Sequence, residues 1–149
     1  MAPAALTRAT VKALDWLSAH LLPPSKRAEH LHTGQRGEED AYFYLRKRGY
    51  VMVARNFRSS RRKGEIDLIG WDKDVLCFIE VKTRTTRAVA PAEAAVDQQK
   101  RDDLIAVARD FLHRIKGNST ARFDILSVYY DDEGESPDIT LFKNAFVMP

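Results

Sequence analysis

The chain has 149 residues, of which 44% are hydrophobic and 30% are charged, and its formal net charge is +3. This composition is typical of a single soluble domain with a sizeable core, and it excludes a disordered chain. The single cysteine, Cys77, excludes an intrachain disulfide, and no apolar run is long enough to span a membrane. We therefore expect a cytoplasmic protein without a membrane partner.

The chain begins with a segment whose apolar residues recur at helical spacing. This spacing predicts a helix over residues 6–22, which ends at the pair Pro23-Pro24. A polar linker, roughly residues 23–36, then leads to the main domain. We accordingly divide the chain into a helical extension with its linker, residues 1–33, and a main domain, residues 34–149.

The main domain alternates between helical and strand patterns. In chain order they predict a helix at 37–48, strands at 50–57, 65–71 and 75–83, a helix from Pro91 to about His113, and strands at 121–130 and 139–146. The first three strands are joined by short turns and should form an antiparallel meander. The long second helix suits a crossover to a parallel fourth strand. The expected fold class is α/β, with a central mixed sheet flanked by helices.

Two of the apolar strands contain charged residues in their interiors. Because side chains alternate between the two faces of a strand, Glu65, Asp67 and Ile69 should share one face, and Glu80 should share a face with Lys82. If these strands are neighbours, Asp67 and Glu80 converge on the same side. Charges at such positions are costly unless they are paired or bind a metal.

These acids have two interpretations. In the first, Lys82 neutralises Asp67 or Glu80 in a structural ion pair at the edge of the sheet. In the second, the carboxylates bind a divalent cation such as Mg²⁺, which prefers carboxylate and water oxygens. A third acid favours the second interpretation, because Glu38 lies on the core-facing side of the predicted helix at 37–48. Its neighbour Glu39 should point to solvent.

Basic residues are concentrated immediately before the acidic strands. Such a cluster, next to a candidate site, could bind the phosphates of a nucleic acid, although a solvated surface loop would have the same composition. Arg84 extends the basic surface past Lys82. The dense cluster consists of Arg55, Arg58, Arg61, Arg62 and Lys63.

The same residues resemble the bacterial YraN family, also called UPF0102, over about residues 34–149. That family resembles the PD-(D/E)xK nucleases, which have the restriction-endonuclease-like fold, and is distantly similar to archaeal Holliday-junction resolvases. Ile66 occupies the position of the proline in the superfamily motif. The resemblance is carried by Gly37, Glu38 and Ala41, by Asn56 and Arg58, by the runs Gly64–Ile69 and Phe78–Arg84, by Lys100, and by Arg122–Asp124.

The resemblance implies a metal-dependent endonuclease that uses Mg²⁺ or Mn²⁺. Asp67 and Glu80 would be metal ligands, and Glu38 would contact the metal through a water molecule. Lys82 would orient or activate the attacking water, so these four residues are the catalytic candidates. Lys100 corresponds to an auxiliary polar residue at the start of the second helix, and we group it with the nucleic-acid contacts.

Three functions are compatible with these features. The first is a nuclease that selects branched or damaged DNA by structure, because the sequence contains no helix dedicated to reading bases. The second is a nucleic-acid-binding module without turnover. The third is an adaptor in a DNA-repair complex, with the helix at 6–22 as its docking element. The sequence also leaves open whether the chain forms a homodimer.

Overall fold

The computed structural model describes residues 26–85, 96–131 and 136–148, with side chains from Leu31 onward. Its contacts divide the chain into two compact units, Met1–Arg36 and Gly37–Pro149, and the second unit contains the sheet. The predicted helix at 6–22 lies outside the described residues.

In chain order the described elements are α1 (Lys26–Lys47), β1 (Val51–Arg58), β2 (Glu65–Asp72), β3 (Val75–Arg84), α2 (Gln98–Leu112), β4 (Thr120–Tyr129) and β5 (Asp138–Phe146). All five strands lie within two residues of their predicted bounds. The prediction for α1 was wrong at its start, because the helix begins at Lys26 and includes most of the supposed linker. That segment is rich in Lys, Arg, Ala and Glu, which favour helix even without apolar periodicity.

The second helix also begins later than predicted. Its first residue is Gln98, not Pro91, although residues 91–95 lie outside the described part of the chain. The carboxylate of Asp97 accepts a hydrogen bond from the backbone N–H of Lys100 at 2.8 Å and so caps the helix. This cap fixes Lys100 in the first turn of α2.

The five strands form one mixed sheet in the order β1-β2-β3-β4-β5. The pairs β1–β2 and β2–β3 are antiparallel, which confirms the predicted meander. The pair β3–β4 is parallel, as predicted, and β5 returns antiparallel to β4. The expected α/β class with a mixed central sheet and flanking helices is therefore confirmed.

Each face of the sheet contributes to a separate apolar cluster. Leu76 and Phe78 of β3 pack with α2, whereas Cys77 and Ile79 pack with α1. This division confirms the predicted alternation along β3. β3 is the central strand of the sheet, and helices cover it on both faces, so the structure has three layers. Burial of one such side chain contributes about 1.5–3 kcal/mol to stability.

The end of α1 leads the chain directly into β1. Gly49 adopts a φ of 89°, which a residue with a side chain rarely does, and the N–H of Tyr50 reaches back to the carbonyl of Leu45 at 3.2 Å. This arrangement is a Schellman motif, in which Tyr50 and Leu45 also share one apolar cluster. Among the described helices, none combines the length and the apolar character needed to cross a membrane.

Candidate active site

The candidate site lies where β2 and β3 cease to pair. The last residue pair of their ladder is Leu68 with Ile79, so the next position would place Asp67 opposite Glu80. Instead of a backbone carbonyl, the Oδ2 atom of Asp67 accepts the N–H of Val81 at 2.8 Å. The Asp67 carboxylate is therefore held between the two strands by backbone geometry.

The alternation of faces along β2 is interrupted at the same point. Ile66 and Ile69 both pack in the cluster beneath α2, although strict alternation would place them on opposite faces. The prediction that Glu65 shares the face of Ile69 was therefore wrong, because Ile66 takes that place. The irregularity is centred on Asp67, and a regular pattern in the sequence could not reveal it.

Glu80 is buried, with a relative exposure of 4%, and two lysines contact it. The Nζ atom of Lys82 lies 3.0 Å from Glu80 Oε1, and the Nζ atom of Lys100 bonds to the same oxygen. The other oxygen, Oε2, is buried and accepts no hydrogen bond from the described residues. The predicted ion pair with Lys82 exists, but it satisfies only one of the two carboxylate oxygens.

Asp67 has an unusual proton affinity. Burial, followed by the charge of Glu80, raises its pKa to about 8, while the hydrogen bond from Val81 acts in the opposite direction. Burial is the largest single effect on Lys100 and lowers its pKa, but the hydrogen bond to Glu80 and the charge of Glu80, with smaller contributions from Lys82 and Asp67, together raise that pKa. Asp67 thus resists ionisation beside Glu80, and the ammonium groups of Lys82 and Lys100 lie close by.

Glu38 joins this acidic group from α1. A Cβ atom on Gly37 would lie 1.9 Å from the Oγ1 atom of Thr83, so the absence of a side chain lets α1 approach β3 closely. This approach places the half-buried Glu38 near enough for its charge to raise the pKa of Asp67 as well. The three predicted acids, Glu38, Asp67 and Glu80, are therefore neighbours.

The prediction for Glu39 was wrong. Its relative exposure is 8%, and its Oε2 atom accepts a hydrogen bond from Arg55 Nη2 at 3.0 Å. Arg55 also lies over the ring of Tyr42, with its guanidinium carbon 4.8 Å from the ring centroid. Helical periodicity could not reveal this burial, because the covering group comes from β1.

Whether a metal fits can be judged from the donor set. Among the described residues, no group of three or more His, Cys, Asp or Glu side chains is arranged to hold a metal ion. A site here would therefore use two direct carboxylates, with Glu38 further away and water completing the shell, which suits Mg²⁺. The buried Oε2 of Glu80 and the raised pKa of Asp67 are both compatible with binding of a divalent cation.

The predicted nucleic-acid contacts fall into two groups. Arg61 and Lys63 are exposed and form no ion pair with any described residue. The others are engaged: Arg55 with Glu39, Arg58 with Glu65, Arg62 with Asp110 at 3.9 Å, and Lys100 with Glu80, while the Nε atom of Arg84 is buried. The basic cluster is thus partly a set of structural ion pairs.

The basic loop after β1 packs along α2, which the sequence did not indicate. The hydroxyl of Ser59 bonds to Asp110, and the guanidinium of Arg114 lies 5.2 Å from the centroid of the Phe57 ring. A cavity of about 280 Å³ opens here, lined by Ser59, Ser60, Arg61, Asp110, His113 and Arg114. These groups are about 50 positions apart in the chain, so no local motif could have found them.

A second charged cluster occupies the opposite end of β2 and β3. The Nε atom of Arg122 binds both carboxylate oxygens of Asp124 at 2.9 and 3.0 Å, and its Nη2 atom binds Asp72 at 2.8 Å. Lys143 binds Asp72 at 2.9 Å. Asp124 is therefore a structural partner of Arg122.

Comparison with known proteins identifies the family. A model described as "Uncharacterised protein family UPF0102" matches residues 37–128. The chain belongs to this family. A UPF0102 protein of Koribacter versatilis is 54% identical over 95% of both chains, and one of Solibacter usitatus is 46% identical over 76% of this chain and 84% of its own. A third, from Caldicellulosiruptor saccharolyticus, is 40% identical over 76% and 95%.

The family model covers the site described above. Its range includes Glu38, Asp67, Glu80 and Lys82, and Gly37 is its first residue. The match to the Koribacter versatilis protein covers 95% of this chain, so the alignment also includes most of the positions before Gly37. The predicted membership of UPF0102 is confirmed, while the resemblance to nucleases stays a prediction.

Proposed function

We propose that this UPF0102 protein is a metal-dependent endonuclease that hydrolyses phosphodiester bonds in nucleic acid, with branched or damaged DNA as the expected substrate. The observation that carries the proposal is the close placement of Asp67 and Glu80 beside the ammonium group of Lys82, with one buried oxygen of Glu80 that accepts no hydrogen bond from the described residues. In a purely structural cluster, each buried carboxylate oxygen would be expected to accept a hydrogen bond. A nuclease of the PD-(D/E)xK type uses acids to hold a cation and a lysine beside them, and a carboxyl with a strongly shifted pKa marks a candidate functional site.

Asp67 and Glu80 would hold a Mg²⁺ or Mn²⁺ ion, and Glu38 would contact it through water. When bound, such an ion polarises a phosphate oxygen and lowers the pKa of a bound water. The backbone N–H of Val81 keeps the Asp67 carboxylate in place for this role. Lys82 would orient the attacking water and offset the charge that develops on the phosphate, and Lys100 would share the charge of Glu80.

The substrate would lie across the basic loop between β1 and β2. Arg61 and Lys63 are exposed there, and Arg61 also lines the cavity at the end of α2. Contacts of this kind bind phosphates without reading bases, which agrees with selection by DNA structure. A loss of binding at high salt is therefore expected.

The test is cleavage of labelled four-way junctions, flaps, duplexes and single strands with Mg²⁺, with Mn²⁺ and with a chelator. Asp67→Asn and Lys82→Met are the variants of the site. Asp72→Asn and Lys143→Met are matched controls, because they change the same residue types in an ion-pair cluster at the other end of the sheet.

We expect metal-dependent nicking that both site variants lose and both controls retain. Cleavage that survives Asp67→Asn would contradict the proposal. Binding without cleavage by any form would favour the non-catalytic nucleic-acid-binding module. Cleavage at one defined sequence would remove the claim of structure selection.

A further inference from the structure

Asn56 of β1 lies opposite the Asp67 position, in an unusual backbone conformation. The β1–β2 ladder pairs Arg55 with Leu68 and Phe57 with Ile66, and it omits the position between them. At that position Asn56 has a φ of 49°, in the left-handed region that few non-glycine residues adopt. Among residues other than glycine, Asn tolerates this conformation well, since its short polar side chain can form local hydrogen bonds.

The side chain of Asn56 joins two acids from different elements. Its Nδ2 atom donates to Glu38 Oε2 at 3.0 Å and to Glu65 Oε1 at 2.9 Å. The other oxygen of Glu65 accepts a hydrogen bond from Arg58. One amide therefore connects the acid on α1 to the first residue of β2 and, through it, to the basic loop.

These bonds are exposed, so they contribute little to the stability of the fold. A hydrogen bond at the surface replaces bonds to water and is worth about 1 kcal/mol or less. What the bonds do determine is direction, because Glu38 is half-buried and its carboxylate could otherwise rotate away from the acidic group. Backbone positions in sparsely populated conformations persist only where the surrounding structure holds them, and they cluster at functional sites.

We infer that Asn56 is a positioning residue that holds the Glu38 carboxylate toward the cation site. The inference rests on the proposed function, since it requires that Asp67 and Glu80 bind a divalent cation. It adds a residue whose role neither the sequence pattern nor the family resemblance assigns. In this role Asn56 acts through its hydrogen bond to Glu38.

The test measures Mn²⁺ binding to the full chain, by the electron paramagnetic resonance signal of free Mn²⁺, together with a thermal melt. Asn56→Gly removes the amide and keeps the positive φ accessible. Asn144→Gly is the matched control, because Asn144 is an exposed asparagine with a φ of 55° on β5. Glu38→Gln and the double variant with Asn56→Gly complete a thermodynamic cycle.

We expect Asn56→Gly to weaken Mn²⁺ binding about tenfold, the lower end of the range for residues that orient metal ligands. Asn144→Gly should leave the affinity unchanged. In the Glu38→Gln background, Asn56→Gly should cause no further loss. If Asn56→Gly does not fold, Asn56→Asp serves in its place, because Asp also tolerates this conformation and cannot donate to Glu38.

The outcomes separate this inference from the proposed function. A wild-type chain that binds no Mn²⁺ would overturn both. A wild-type chain that binds Mn²⁺ while Asn56→Gly matches Asn144→Gly would overturn the role of Asn56 alone. An equal loss with and without Glu38 would also overturn it, because Asn56 would then act by some route other than Glu38.

Discussion

Asp67 and Asp72 lie on the same strand, yet their surroundings shift their pKa values in opposite directions. Burial and the charge of Glu80 raise the pKa of Asp67 to about 8. Hydrogen bonds from Arg122 and Lys143 lower the pKa of Asp72 to about 2. One strand therefore carries a carboxylate that resists ionisation at one end and a carboxylate that favours it at the other.

The difference teaches how to distinguish a structural charge cluster from a functional one. At the Asp72 end, the acids are matched by Arg122 and Lys143, and the hydroxyl of Tyr50 also bonds to Asp72. At the Asp67 end, both lysines contact the same oxygen of Glu80. The charged groups are thus satisfied at one end of the strand, while at the other a buried oxygen of Glu80 and the carboxyl of Asp67 are left for a ligand to complete.

The largest expected contrast is in activity. Asp67→Asn should lower metal-dependent cleavage by at least about 10²-fold, the loss typical of removing one preorganised electrostatic group. Asp72→Asn should leave cleavage unchanged when it is assayed well below the melting temperature. The measurement is the single-turnover nicking rate on the preferred substrate. Equal losses in the two variants would mean that the ends of β2 do not differ in function.

The second contrast is in stability, because Asp67→Asn and Asp72→Asn should change the free energy of unfolding in opposite directions. Because the pKa of Asp67 is raised, its carboxyl penalises the native state at neutral pH, so Asp67→Asn should increase the free energy of unfolding by about 1–3 kcal/mol. Asn can still accept the N–H of Val81. Asp72→Asn should decrease the free energy of unfolding by about 1–2 kcal/mol. Urea unfolding of both variants without metal checks the signs.

Much of the fold could be predicted from the sequence, because strand alternation and turn residues are local. The five strands, the meander and the parallel crossover follow from such patterns. The start of α1 could not be predicted in this way, since its first turns are polar and carry no apolar periodicity. The environment of Glu39 also depends on a distant residue, Arg55, which no local pattern includes.

The acids of the candidate site were predicted for a different reason. Asp67 and Glu80 stand out because charge inside an apolar strand is rare, and this signal needs no structure. What could not be predicted is how the site is built. The strand ladder is interrupted at Asp67, and the side chain of Asn56 donates hydrogen bonds to both Glu38 and Glu65. Irregular backbone leaves no periodic trace in a sequence.

The third contrast is in pH dependence. The pKa of Asp72 is lowered in the folded chain, so the stability it provides is present above about pH 4, near its unfolded pKa, and is lost as pH falls toward about 2. The difference in unfolding free energy between wild type and Asp72→Asn should therefore shrink through this window. A difference that stayed constant from pH 6 to pH 2 would assign the stabilisation to something other than the Asp72 charge.

The smallest expected effect separates the two cations of the Asp72 cluster. The Lys143 side chain is 54% exposed, whereas that of Arg122 is 16% exposed and also binds Asp124. Exposed ion pairs contribute little, so Lys143→Met should cost about 0.5 kcal/mol or less and raise the pKa of Asp72 only slightly. NMR titration of the Asp72 carboxyl carbon measures that shift. A return to an ordinary pKa in Lys143→Met would show that Arg122 alone does not balance this end of β2.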